Sequence, residues 1–249
     1  MTRGLSPSIQ DPTYWWYRAR ADLLHTALGP YVGERPRVLD IGSADGPSVE
    51  WLRASGDRVA LDIDSRGLRP GDVCGSALAL PFADAAFDVV AAFDVIEHCE
   101  PEAQALAEVA RVLAPGGRLL MSVPAYQWAW TQFDEQNCHH RRYTRRRAVA
   151  AVEAHGIDVV RASYMFAGTF PFFALDRLTT RLREGIASRS SAATDEGASL
   201  PRVGRAAERL LTGLTRLDRR VLRRWDLPFG SSVVLAAVKP LHAGGVPAS

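Results

Sequence analysis

Two stretches of the 249-residue chain gather the side chains that could do chemistry. The first is VLDIGSADGPSVEWL, from Val38 to Leu52, in which a β-branched run meets an acid, a glycine-punctuated turn and a helix-like pattern. A turn built for a dinucleotide places glycines first, third and sixth, so that a pyrophosphate can approach the amides at the helix start. Those places hold Gly42, Ala44 and Pro47. Proline offers no N–H, although it suits a first helical turn. The loop is therefore tight but poorly equipped for a pyrophosphate. Asp62 follows 20 residues after Gly42 at the end of the next apolar run, where a carboxylate can accept hydrogen bonds from two ribose hydroxyls. A nucleoside without a pyrophosphate satisfies both observations.

The second stretch is PAYQWAWTQFDEQNCHHRRYTRRR, from Pro124 to Arg147. It carries Tyr126, Trp128, Trp130 and Phe133, then Asp134, His139, His140, Arg141, Arg142 and Tyr143. A connection this long inside a compact domain is usually functional, so we assign it to the acceptor of whatever reaction the nucleoside serves. His140 and Asp134 are the expected general bases, with His139 behind them. Arg141 and Arg142 either hold an anionic part of the acceptor or belong to the scaffold, with Tyr143 in the same group, and Arg145, Arg146 and Arg147 after it suggest a bound anion or a solvated surface. Thr144 is a good N-cap for a following helix. Glu97 and His98 open another segment that precedes a helix, and His98 is either a structural hydrogen-bonder or a third catalytic candidate. Trp15 and Trp16 add an aromatic edge near the N-terminus that we also count toward the acceptor. Cys99, Cys138 and the histidines follow no zinc spacing, so no metal site is expected.

The elements that must position these residues are legible from periodicity. RVLDI, RVALDID, FDVVAAF and RLLMSVP are short apolar runs, and EAQALAEVARVLAPGG is an amphipathic helix closed by Pro115 and Gly116. Continuous apolar strands alternating with helices imply a parallel sheet covered on both faces. That is a doubly wound α/β fold whose ligand lies at the carboxyl ends of the first strands. The last apolar run is SSVVLAAVKP. The expected organisation is an N-terminal aromatic helical cap over 1–35, with Asp11 capping and Pro12 as first helical residue. A nucleoside-binding core over 36–165 follows, then a helical lid over 166–230 with a flexible linker near 186–201. The last core strand spans 231–240, and the tail 241–249 is expected to be disordered. Leu210, Leu214, Leu217 and Val221 recur at helical spacing beside a basic face, so these helices either cover an apolar acceptor or meet a membrane surface peripherally.

VLDIGSADG, ALDID, ALPFADAAFDVV and DVIEHCEPEAQALAEVARVLAPGGRLLMSVP together resemble the class I S-adenosylmethionine-dependent methyltransferases, in their small-molecule branch, over roughly Arg37 to Val123. The resemblance implies a Rossmann-like sheet of seven strands with the last pair antiparallel, S-adenosylmethionine as cofactor and methyl transfer to a small-molecule or lipid-like acceptor. It implies that Asp40, Gly42, Ala44 and Gly46 shape the methionine end of the cofactor pocket. It further implies that Asp62 holds the ribose, Ile63 packs on the adenine, Ser76 and Ala77 meet the adenine edge, and Phe93, Asp94 and Val95 close the pocket. Two positions depart from the family pattern: Ala44 stands for a glycine and Ser76 for an aspartate. An NAD(P)-dependent oxidoreductase of Rossmann type and a non-catalytic nucleoside-binding module are the other classes compatible with such a sheet.

Composition narrows the field further. A net charge of +2 gives no global electrostatic case for nucleic acid, and the basic residues are arginines apart from Lys239. Three cysteines without a secretory leader favour reduced thiols and a cytoplasmic setting. No apolar run is long enough to span a bilayer. Oligomeric state is not legible.

Overall fold

The computed structural model describes residues 14–42, 50–187 and 203–241. Ala44, Gly46 and Pro47, the Asp11 cap, most of the expected linker and nearly all of the tail lie outside the described residues. Seven strands form one sheet: β1 (Arg37–Ile41), β2 (Asp57–Asp62), β3 (Val73–Cys74), β4 (Phe87–Phe93), β5 (Leu113–Pro124), β6 (Asp158–Met165) and β7 (Ser232–Val238). Their order is β3-β2-β1-β4-β5-β7-β6. The first five pair in parallel, and β7 runs antiparallel to both neighbours, β5 and β6. The expected seven-stranded sheet with an antiparallel final pairing is thus observed. β3 and β6 went unread in the sequence. β3 has two residues, and β6 lies at the sheet edge, with exposed or half-buried side chains up to Ala162 and buried ones only from Ser163 to Met165, so neither offers a continuous apolar run.

Strand order reverses between β1 and β4, and right-handed crossovers then carry the chain to opposite faces on either side of that point. A crevice opens there at the carboxyl ends of the strands. Val38, Leu39, Val89, Val90, Ala91, Leu119, Leu120, Val233 and Leu235 fill the sheet centre with essentially no exposure. Their β-branched and leucine side chains suit strands buried on both faces.

Seven helices complete the described residues: α1 (Trp15–Leu28), α2 (Glu50–Arg53), α3 (Glu102–Val112), α4 (Gln132–Gln136), α5 (Arg145–Glu153), α6 (Phe170–Ala187) and α7 (Arg205–Leu222). α3 buries Ala105, Leu106, Val109 and Val112, the apolar stripe read from the sequence. It ends one residue before β5, so Pro115 and Gly116 belong to the start of a strand rather than to a helix cap. Thr144 caps α5 as expected, its hydroxyl accepting from the Arg147 amide at 3.2 Å. α7 packs along α1, where Arg18 meets Glu208 at 3.4 Å and Arg219 meets Asp22 at 3.2 Å.

Candidate active site

Four aspartates mark the carboxyl edge of the sheet and the connection after β5, and their partners separate them. Asp40 on β1 has no exposure and is gripped by Arg58 from β2, with Nε and Nη2 at 2.8 and 2.7 Å. Asp94, just past β4, accepts from Arg20 at 2.7 Å and from the Ser122 hydroxyl at 3.0 Å. Its φ of 57° shows the chain turning sharply there. Asp134 on α4 is fully buried beneath Arg142, whose Nε and Nη2 stand 2.8 and 3.1 Å from its two oxygens. Asp62 alone of the four has no cationic partner among the described residues. Its carboxylate accepts from the Asp64 amide at 2.8 Å. Burial raises its pKa, an effect the Asp64 and Ile63 amides oppose.

Beside Asp62, Ile63 is 80% exposed, a large apolar side chain laid open at the tip of β2. Gly42 ends β1 with φ 72°, and a Cβ there would stand 2.5 Å from Val95 Cγ2. Glycine is therefore required both by conformation and by the approach of the β4 loop. Ser76 turns inward, its hydroxyl accepting from the Leu78 amide at 3.2 Å, with Ala77 half-buried beside it. Phe93 and Val95 are buried, and Phe93 packs near Trp51. Asp62, Ile63, Gly42, Ser76, Ala77, Phe93, Asp94 and Val95 thus sit on the strand ends and loops that border the crevice. That placement fits a nucleoside: an acceptor carboxylate, an apolar platform and a side-chain-free turn.

The connection after β5 is fastened far more firmly than its sequence implied. Tyr143 is buried completely and donates to Glu102 Oε1 on α3 at 2.6 Å. Burial and that bond push its hydroxyl far above the usual range. Arg141 is buried against Glu100 and Glu102. Arg142 is spent on Asp134 and also donates to the Ala125 carbonyl at 3.2 Å. Neither arginine is available to an anionic acceptor, and Tyr143 is a pillar between α3 and β5. Asp134 is corrected likewise. Burial alone would raise its pKa, but His139 at 2.8 Å and Arg142 outweigh it and hold the carboxyl below its usual range. A saturated, enclosed carboxylate of that kind takes no proton from a substrate. His140 is exposed, and its amide donates to the Glu97 carbonyl at 2.8 Å.

The histidines that meet are His98 and His139, edge to face with ring centres 4.6 Å apart. His98 keeps an exposed edge, yet desolvation and the neighbouring His139 lower its pKa. Glu97 lies beneath them with no exposure. Burial first, then the charge of Asp94, raises its carboxyl well above the ordinary range. Aromatic rings gather where the connection after β5 meets β6 and α6. Tyr126 stacks on Tyr164 at 5.4 Å and on Trp128 at 6.0 Å, with Phe170 closing the group. Trp16 stacks on Phe166 at 5.7 Å, whereas Trp15 is buried. Sequence reasoning missed Arg20, Arg58 and Ser122. The available signal was Arg20 itself, a charge on the same helical face as Leu23, Leu24, Ala27 and Leu28, where only a paired cation is tolerated.

A mostly parallel seven-stranded sheet with an antiparallel β7 defines the Rossmann-like fold of class I methyltransferases. Residues 39–121 match the family described as a methyltransferase domain. It is 36% identical over 116 residues to a demethylmenaquinone methyltransferase of Renibacterium salmoninarum, covering 43% of this chain and 46% of that one. It is 32% identical over 152 residues to a malonyl-[acyl-carrier protein] O-methyltransferase of Methylococcus capsulatus, covering 53% and 55%. The chain thus spans about half the length of these curated relatives. A crystal structure of a putative methyltransferase from Bacillus halodurans shares the fold over 89% of this chain and 98% of its own, with a TM-score of 0.56 and 18% identity.

Proposed function

We propose that this chain transfers the methyl group of S-adenosylmethionine to a small-molecule or lipid-like acceptor. The observation that carries the reading is the open Asp62–Ile63 corner. Three aspartates near it are neutralised by Arg58, Arg20 and Arg142, and the fourth keeps its acceptor capacity beside an exposed apolar side chain. Asp62 would take two ribose hydroxyls and Ile63 one face of the adenine, while Gly42 leaves room for the chain of the cofactor. Bound S-adenosylmethionine supplies a methyl carbon already activated by its sulfonium. What remains for the protein is to align an acceptor and exclude water, which is worth about 7–11 kcal/mol.

The acceptor side falls to Tyr126, Trp128 and the histidines, with exposed His140 as the proton-accepting group. Phe172, Leu175, Leu178 and Leu182 on α6 are exposed, a stripe that supports an apolar acceptor or a peripheral lipid contact. No helix among the described residues is long and apolar enough to cross a membrane. The family match favours methyl transfer over nicotinamide chemistry. The test is incubation with methyl-labelled S-adenosylmethionine and fractionated metabolite and lipid extracts, read by mass spectrometry. A labelled product heavier by one methylene is expected. Binding of NAD(P) without binding of S-adenosylmethionine would overturn the reading.

A further inference from the structure

We propose that Glu97, His98 and His139 form a binding site for a divalent transition-metal cation, with coordination positions left open toward the acceptor. One ligand atom from each of the three lies within 4.8 Å of the other two. The Glu97 carboxylate is fully buried, and neither oxygen accepts a hydrogen bond from another residue among the described residues. A buried carboxylate left so is costly unless a cation or donor meets it. The nearby cations are already committed, Arg20 to Asp94 and Arg142 to Asp134.

The histidines are prepared in the way metal ligands are. Asp134, ionised under Arg142, accepts from His139 Nδ1 at 2.8 Å, which leaves Nε2 with its lone pair. His98 lies against the backbone of Asn137 and Cys138, whose carbonyls favour a ring N–H on one side. Two imidazoles and one carboxylate suit zinc, manganese, iron or cobalt rather than magnesium or calcium. Ligand bonds of about 2.0–2.2 Å in tetrahedral geometry place two ligands of one ion about 3.3–3.6 Å apart, so binding draws the three inward by up to roughly 1.3 Å. Three protein ligands leave a position for an oxygen donor of the acceptor. That use rests on the methyl-transfer reading; the site itself does not.

The experiment titrates zinc, and separately cobalt, into the chelator-treated and dialysed 249-residue chain, by calorimetry and visible absorption. One equivalent per chain, a rise in melting temperature and ligand-field bands are expected. Glu97→Gln and the double variant His98→Asn/His139→Asn should each lose at least tenfold in zinc affinity. Circular dichroism checks that they fold, and Glu97→Gln is nearly isosteric at a side chain that has no hydrogen-bond partner among the described residues. Zinc binding that is absent, or unchanged in both variants, overturns the site. Titration of the same samples with S-adenosylmethionine separates the two ideas. Retained cofactor binding with lost zinc binding supports the site, and zinc binding without cofactor binding supports it while sinking the methyl-transfer reading.

Discussion

Asp62 and Asp134 were the two carboxylates on which the sequence reading hung a cofactor site and an acceptor site, and the fold treats them oppositely. Asp134 has no exposure and is filled by Arg142, His139 and the Thr131 amide. Asp62 ends β2 with backbone amides alone, against an 80% exposed isoleucine. A carboxylate saturated from within holds the protein together, and one left unsaturated at a crevice is kept for a ligand. Counting charged residues in a loop cannot tell these apart, because pairing partners come from distant elements. Arg142 and Asp134 are near in sequence, but Tyr143 is held by α3, 41 residues away.

The largest effect should come from Arg142→Ala. It strands the buried Asp134 carboxylate, and removing one partner of such a pair costs about 3–5 kcal/mol. Urea unfolding monitored by circular dichroism should show that loss. A change under about 0.5 kcal/mol, the scatter of surface substitutions, would mean the HHRRYT segment is not a structural pillar and would return Arg142 to the acceptor site. Asp62→Ala comes next, with the loss in binding rather than in stability. Charge-assisted hydrogen bonds contribute about 1.5–3 kcal/mol each, so S-adenosylmethionine affinity should fall at least tenfold while the melting temperature holds. Equal affinity by calorimetry would break the contrast between the two carboxylates.

The half of the molecule that holds the cofactor edge was legible because each of its signals is local. RVLDI and FDVVAAF are strands as read, Gly42 has the φ of 72° that its turn requires, and Asp62 ends its strand. The acceptor half was not, since its fate depends on contacts that periodicity does not encode. Glu102 on α3 decides that Tyr143 and Arg141 are structural, and Arg20 on α1 decides that Asp94 is paired. His98 and His139 are 41 residues apart and follow no motif spacing; the parallel pairing of β4 with β5 brings the segments that follow the two strands together. The aromatic cluster was foreseen as composition but not as geometry, because Tyr126 reaches Tyr164 only through the antiparallel β7 that separates β5 from β6.

The smallest expected effect tests the cofactor edge at its departure from the family pattern. Ser76 stands where the resemblance places an aspartate, and its hydroxyl accepts from the Leu78 amide at 3.2 Å. In Ser76→Asp one carboxylate oxygen can keep that bond while the other faces the crevice, where an adenine amino group would donate to it. A single hydrogen bond gained at a partly solvated edge contributes about 1 kcal/mol, a fivefold gain in affinity by calorimetry. Asp62 lies near enough along the same edge that the added charge also raises repulsion, which keeps the gain at that scale rather than at the larger one of a buried pair. Weaker binding in the variant would mean that repulsion wins and that the adenine amino group is met elsewhere. The open corner would then reduce to Asp62 and Ile63, and the contrast with Asp134 would rest on the ribose alone.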